Sequence, residues 1–524
     1  MIQQLQQWAR RRREYVPPPR AGQAVGSKVV HGTFWSGFSL AMQFLVQFVR
    51  SVVFARLLAP SDFGIIGLAE LFTQFVLIFA NFGFNSSIIY RKSLDREDLA
   101  TCWWGNLTVD AAAAVICGAV ALASRSFTET PIVGNVMALL SVQYIVVSLG
   151  GVSQALMQRL FLFKQSAMIV VVGALVTFGV AFFAIAVFNL GVYGLVIGNI
   201  AGSCVTVALR FAVVPWLPSS GGSYARFKDH FRYGRWLLGV HVVGYANGNA
   251  DRILIAGFLT TAELGYYDYA SAIPTLIMMR VGTILSQVLF PVFASLQDNL
   301  SELRAVLIRY VRTASVIIYP TLLGLAAVSD DFVRLAYGQR WLPIVLPMQI
   351  FCVVGVLRIV TAPLDVLCNS LGRPALPFRA SMVLLPINAL AVYLAVTSGG
   401  VAGAAAVKLL FPVFSLIAVG RPIFKEISLP MRRVLAAVVP GTSASLVMLA
   451  VVLTSHRVLW LTVGNAGVRL GLEVGLGVLV YGGTLALFWP GELRLLAELA
   501  QRMAGAVGWG LPAVDKADEL EIMR

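Results

Sequence analysis

Long apolar runs separated by short polar turns recur along almost the whole chain. Each run is about 20 residues or longer, enough for a helix to cross a bilayer core of roughly 30 Å. The runs predict about fourteen spans, at 30–55, 63–90, 99–123, 131–157, 166–188, 190–214, 234–258, 264–296, 305–328, 341–369, 375–397, 399–420, 434–454 and 465–489. The break between the fifth and sixth rests on "FNLGVYG", a turn carrying Asn and Gly.

One turn is written twice. "ARLLAPSDFG" at 55–64 returns as "AGFLTTAELG" at 256–265, with Ala55/Ala256, Leu58/Leu259 and Gly64/Gly265 in step and Asp62 answered by Glu263. Both copies fall where a first helix turns into a second, in spans 1–2 and in spans 7–8. The pattern therefore predicts parallel six-helix repeats, related by a pseudo-two-fold axis along the membrane normal. The expected domains are a basic cytoplasmic segment 1–29, an N-terminal lobe 30–216, a cytoplasmic linker 217–232, a C-terminal lobe 233–424, two further helices 425–489 and a tail 490–524.

Composition agrees with the pattern. Apolar residues make up 58% of the 524 and charged residues 12%, against about 25% charged in soluble domains; mean hydropathy is +0.81. The net charge of +15 needs no nucleic-acid partner, because cytoplasmic loops of membrane proteins retain Lys and Arg. With the N-terminus inside, 29 of the 40 Lys and Arg fall in inner segments and only Arg56, Arg125, Arg334, Arg340 and Arg457 in outer loops. Both termini are thus expected on the cytoplasmic side. The N-terminal stretch does not read as a signal peptide.

Polar residues inside the spans form stripes. Ser36, Ser39, Gln43, Gln47 and Arg50 share an arc of about 80° on the first helix, and Glu70, Gln74, Asn81 and Asn85 about 60° on the second. His241, Tyr245, Gly248 and Arg252 align on the seventh, and Arg358, Thr361, Asp365 and Asn369 on the tenth. Such stripes line a wet cavity, since intramembrane charges face the bundle interior. Arg50 and Glu70 stand level on neighbouring helices and are expected to pair. Arg280, Arg358 and Lys408 lie deep with no acid at matching depth, which favours an anionic ligand, and Arg252 is a fourth candidate. Glu70, Asp110, Asp251 and Asp365 are the candidates for ion coupling. Arg469 and Glu473, four apart, are expected to neutralise each other.

Catalytic chemistry has no foothold in the sequence. There is no P-loop, so no cofactor is expected. The five cysteines form no C-x-x-C, the four histidines do not cluster with them, and "SDD" at 329–331 reads as an acidic helix-flanking loop, so no metal site is expected either.

"ARLLAPSDFGIIGLAELF", "NFGFNSSIIYRK", "ADRILIAGFLTTAELGYYDYA", "LFPVFASLQDN" and "VVGVLRIVTAPLD" resemble the Wzx-type polysaccharide transporters. These oligosaccharide flippases belong to the multidrug/oligosaccharidyl-lipid/polysaccharide exporter superfamily, and the likeness runs in order from about 28 to 430. It is strongest to flippases for exopolysaccharide repeat units of the colanic-acid and xanthan type. The resemblance implies two six-helix lobes in a V around a central cavity, in a bacterial inner membrane. It implies movement of a polyprenyl-diphosphate-linked oligosaccharide from the cytoplasmic to the periplasmic leaflet, coupled to an H⁺ or Na⁺ gradient, alongside polysaccharide polymerase and export machinery. It also implies that basic cavity residues serve transport, a role for which Arg280 and Arg358 stand ready.

Three alternatives remain in view. A flippase for a lipid-linked peptidoglycan precursor differs only in substrate. A cation or drug antiporter of the same superfamily fits poorly with a basic midplane. A membrane polysaccharide polymerase or ligase needs a long outer loop, and the longest here is about 329–340.

Overall fold

The structure is a computed structural model. It describes the backbone of residues 24–80, 94–127, 131–216 and 242–494, with positions 15–16, 88, 218 and 498 besides. Side chains are described over those segments apart from 15–16, 24–34, 36, 79–80, 94–96, 124–127, 279–288 and 290–291. The linker expected at 217–232 and most of the tail lie outside the described residues. Helix follows helix along the described chain, the exception being a two-residue antiparallel pairing of Tyr15–Val16 with Leu94–Asp95. Among the described residues eleven helices are long and apolar enough to cross a membrane. The chain is an all-α, multi-pass membrane protein.

In order the helices are α1 Ala24–Leu57, α2 Pro60–Ala80, α3 Arg96–Phe127, α4 Pro131–Leu149, α5 Gly151–Arg159, α6 Phe163–Ala186, α7 Val192–Val213, α8 242–258, α9 Thr261–Ser295 and α10 Leu300–Ala327. There follow α11 Ser329–Ala336, a 3₁₀ turn Gln339–Ile344, α12 Val345–Ser370, α13 Ala375–Val407, α14 Leu410–Ser415, α15 Arg421–Glu426, α16 Met431–Thr462 and α17 Ala466–Phe488. Several begin before the apolar run that announces them. Hydropathy marks the stretch that lipid or protein covers, whereas a backbone helix continues through polar residues such as Lys28 until a cap or turn ends it.

The echoed turns use the same capping devices. Pro60 opens α2, where its missing N–H is harmless, and Asp62 reaches back to accept from the Ala59 N–H at 2.9 Å. At the corresponding positions Glu263 accepts from the Thr260 N–H at 2.9 Å, and Thr260 Oγ1 accepts from the Glu263 N–H at 3.3 Å. That is a complete capping box.

The two hairpins also cross each other reciprocally. A Cβ on Gly64 would lie 1.7 Å from the Thr261 carbonyl oxygen, and one on Gly265 would lie 2.0 Å from the Pro60 carbonyl oxygen. Gly64 echoes Gly265 and Pro60 echoes Thr261, so the contact is isologous, as a two-fold axis between the hairpins requires. Glycine is needed because any side chain would hold the backbones apart.

A second echo is plain only in the backbone. Gly191 (φ 54, ψ −132) opens α7, and Gly400 (φ 55, ψ −139) breaks α13 into two helices. Each stands in a Gly-Val-x-Gly stretch, and each conformation is one that L side chains disfavour.

The 3₁₀ turn closes over the end of α1. Its Arg340 and Trp341 donate to the Ala55 carbonyl at 2.7 and 2.8 Å, and Arg56 Nε donates to the Ala336 carbonyl at 2.9 Å. Orphan carbonyls of a helix C-terminus thereby find donors from a distant part of the chain. Tyr269 stacks on Trp341 and meets Phe63 edge-on, with centroids 4.3 and 4.5 Å apart.

By packing, the described residues divide into two compact units. One gathers those up to Leu285 with Ala336–Phe351 and Pro374–Ser415; the other holds Ser286–Leu335, Cys352–Arg373 and the described residues from Leu416 onward. In the second unit α16 lies so close on α10 that a Cβ on Gly441 would meet the Ser315 carbonyl carbon at 2.7 Å. Tyr481 of α17 donates to the Val316 carbonyl at 2.5 Å. Val316, Leu323, Ala327, Ala444, Met448, Val452 and Leu485 fill the core between these helices.

Candidate functional site

Within the first unit the early helices line a half-open cavity of about 410 Å³. Gln43, Gln47 and Arg50 reach it from α1, Gln143 from α4, Gln154 from α5, Thr177 from α6, and Asn199, Ser203, Thr206 and Arg210 from α7. Small residues put those groups there. A Cβ on Gly173 would lie 2.2 Å from Thr206 Oγ1, and one on Gly202 1.9 Å from Thr177 Oγ1. α6 and α7 therefore pack backbone to backbone, with their threonine hydroxyls at the seam. Gly150, at the bend between α4 and α5, leaves room for the Arg210 side chain, whose Cδ would stand 3.5 Å from an added Cβ.

The walls are rich in neutral donors and acceptors, and two guanidiniums face in. Gln143 Nε2 donates to Ser203 Oγ at 3.2 Å. Among the described residues neither Arg50 nor Arg210 has a carboxylate within ion-pair distance, so the expected Arg50–Glu70 pair does not form. Arg50 and Glu70 feel each other's charge, but Arg50 points to the cavity. Two unneutralised forks beside amides and hydroxyls suit an oxyanion attached to a polyol.

Beside this cavity, in the same unit, lies a set of half-buried ion pairs. Arg252 Nη2 is 2.8 Å from Asp268 Oδ2. Gly67 of α2 makes room for that pair, since a Cβ there would lie 2.4 Å from the same oxygen. Asp251 holds Lys408 Nζ at 2.7 Å and accepts from the Tyr267 hydroxyl. Lys408, which the sequence leaves without a partner, is thus neutralised by an acid 157 residues away; Arg252 is neutralised as well. Depth along a helix could not reveal either pairing, because each depends on which helices cross. Glu70 makes no ion pair among the described residues but sits in the field of Arg252, Asp268 and Arg50. Tyr245 donates to the Leu71 carbonyl.

The remaining expected residues fall elsewhere. Gln74 is exposed on α2 and does not line the cavity, and Asp110 is half-buried on α3. Arg358, Asp365 and Asn369 are exposed on the part of α12 that belongs to the second unit, where Arg358 and Asp365 interact electrostatically. Asn81, His241 and the side chain of Arg280 lie outside the described residues. Arg469 pairs with Asp331, not with Glu473 as expected; Glu473 bonds instead to His456 Nδ1 at 2.7 Å. The sequence reading missed Arg210, Gln143, Gln154, Thr177, Asn199, Ser203 and Thr206. A signal existed for four of them: Asn199, Ser203, Thr206 and Arg210 share about 60° of α7.

A helical membrane protein with echoed hairpins and a polar cavity inside the bundle is a transporter of the internal-repeat class. Its fold is that of the solved lipid II flippase MurJ in an inward closed conformation, with a TM-score of 0.68 over 88% of this chain and 99% of that one, at 15% identity. A family model described as polysaccharide biosynthesis protein matches residues 53–346, over half the chain, and the chain belongs to that family. Similar relatives include the lipopolysaccharide biosynthesis protein WzxC of Escherichia coli (strain K12), 28% identical over 401 residues, 74% of this chain and 79% of WzxC. The teichuronic acid biosynthesis protein TuaB of Bacillus subtilis (strain 168) is 24% identical over 401 residues, 76% of this chain and 82% of TuaB.

Proposed function

We propose that this protein is a flippase for polyprenyl-diphosphate-linked oligosaccharide repeat units, moving them from the cytoplasmic to the periplasmic leaflet of a bacterial inner membrane. The observation that carries this reading is the cavity holding Arg50 and Arg210 among neutral amides and hydroxyls, in a chain of the polysaccharide biosynthesis family. The guanidiniums take the diphosphate. Gln43, Gln47, Gln143, Gln154 and Asn199 take sugar hydroxyls, and the prenyl tail stays in lipid.

The echoed turns support two six-helix lobes, and the Lys and Arg distribution supports cytoplasmic termini. In that orientation the Gly64/Gly265 crossing closes the periplasmic end while the substrate enters from the cytoplasm. Transport then alternates between this state and one in which the hairpins part. Glu70 is the acid that couples an ion gradient to this change, because Asp251 and Asp268 are already held by Lys408 and Arg252. A cation exporter is disfavoured by the same two arginines.

Binding of a polyprenyl diphosphate to the purified protein tests the reading. Loss of a charge-assisted bond of about 1.5–3 kcal/mol weakens binding at least tenfold. Arg50→Ala and Arg210→Ala should each do so, and the double variant should abolish polymer export. Lysine at either position keeps the charge without the fork and should fall between. Undiminished affinity in the double variant would remove the diphosphate from this cavity.

A further inference from the structure

Helices α11, α16 and α17 carry a cluster that transport leaves unused. Asp331 of α11, His456 of α16 and Glu473 of α17 bring one donor atom each to within 4.8 Å of one another. Both carboxylates are fully buried and the imidazole is 23% exposed. His456 Nδ1 stands 2.7 Å from Glu473 Oε1 and 3.8 Å from Asp331 Oδ2.

This geometry asks for something more than a hydrogen bond. His456 Nδ1 serves Glu473 Oε1, while Asp331 Oδ2, already held by Arg469, stands close to the same nitrogen. Glu473 Oε2 is buried with no hydrogen-bond partner, and leaving such an oxygen unmatched is destabilising. In a tetrahedral zinc site with bonds of about 2.0–2.2 Å, neighbouring donors stand about 3.3–3.6 Å apart. The separations of 2.7 and 3.8 Å bracket that edge.

We propose that Asp331, His456 and Glu473 form a binding site for one divalent ion of the zinc class, which staples α11, α16 and α17 together. A mixed set of one imidazole nitrogen and two carboxylates suits zinc over calcium or magnesium, which prefer oxygen alone. Arg469 orients the ligand: its Nε and Nη2 both donate to the Asp331 carboxylate, and its guanidinium lies over the Trp460 ring. Fixed outer partners of this kind hold a metal ligand in its productive rotamer. The partly exposed edge of His456 provides the way in.

The test uses the full-length protein in detergent, stripped with chelator, incubated with Zn²⁺, desalted and assayed by mass spectrometry of the metal. The wild type should retain roughly one ion per chain and melt at a higher temperature with Zn²⁺ than without. His456→Gln and Glu473→Gln should lose both effects, and Arg469→Lys should weaken zinc affinity by about 10–100-fold. A wild type that retains no zinc and melts unchanged would overturn the proposal without recourse to any variant. Equal zinc retention by the wild type and both glutamine variants would overturn it too, as an adventitious ion held elsewhere.

Discussion

Arg50 and Asp251 stand at the same distance before the echoed glycines Gly64 and Gly265, while Asn199 and Lys408 stand at the same distance after Gly191 and Gly400. The echoed segments make opposite use of these places. Asp251 and Lys408 neutralise each other at 2.7 Å, whereas Arg50 and Asn199 both face the cavity. One copy is closed by an ion pair and the other lines the cavity. Removing one partner of a fully buried pair costs about 3–5 kcal/mol, an upper bound for Asp251 because the Lys408 left behind is 19% exposed. Asp251→Ala should therefore lower the melting temperature sharply, and Lys408→Met on top of it should restore much of the loss. A double variant no more stable than Asp251→Ala would show that the pair carries no coupling. Polarity at α1 was legible because the stripe of Gln43, Gln47 and Arg50 interrupts an apolar helix. Arg210 was not, since a cation at the end of a span reads as a topology signal until its neighbours are known.

At the scale of elements, the turns announced themselves and the crossings did not. Asp62 and Glu263 recur because each caps a helix, and Gly64 and Gly265 recur because each admits the other hairpin. Capping leaves a local residue pattern; close approach leaves only a glycine, and glycine serves turns and helix ends equally well. The same holds for Gly173 and Gly202, whose role appears only once α6 is seen against α7. A Cβ 2.0 Å from a backbone oxygen cannot be relieved by a rotamer change. Gly265→Ala should therefore part the hairpins, and Thr261→Cys in that background should react severalfold faster with a membrane-impermeant maleimide. Gly482→Ala, where a Cβ meets nothing within 4 Å, is the matched control. Equal labelling in the two backgrounds would mean the crossing does not gate the outer face.

For the whole molecule, hydropathy and one repeated turn were enough to read an all-helical membrane protein built from repeats, and the family resemblance added the transporter reading. Long-range pairing was not readable: Asp251 with Lys408 and Asp331 with Arg469 join residues far apart in sequence, and each pairing follows from helix packing alone. The central claim is that the chain moves a lipid-linked oligosaccharide between leaflets. It is tested most directly on the lipids of cells depleted of this protein, by extracting polyprenyl-diphosphate intermediates, identifying them by mass spectrometry and determining the leaflet they occupy. Accumulation of one complete repeat unit on the cytoplasmic leaflet is the expected result, and it would also identify the sugars. Finished repeat units gathering on the periplasmic leaflet would contradict the account and assign the protein to a step after translocation.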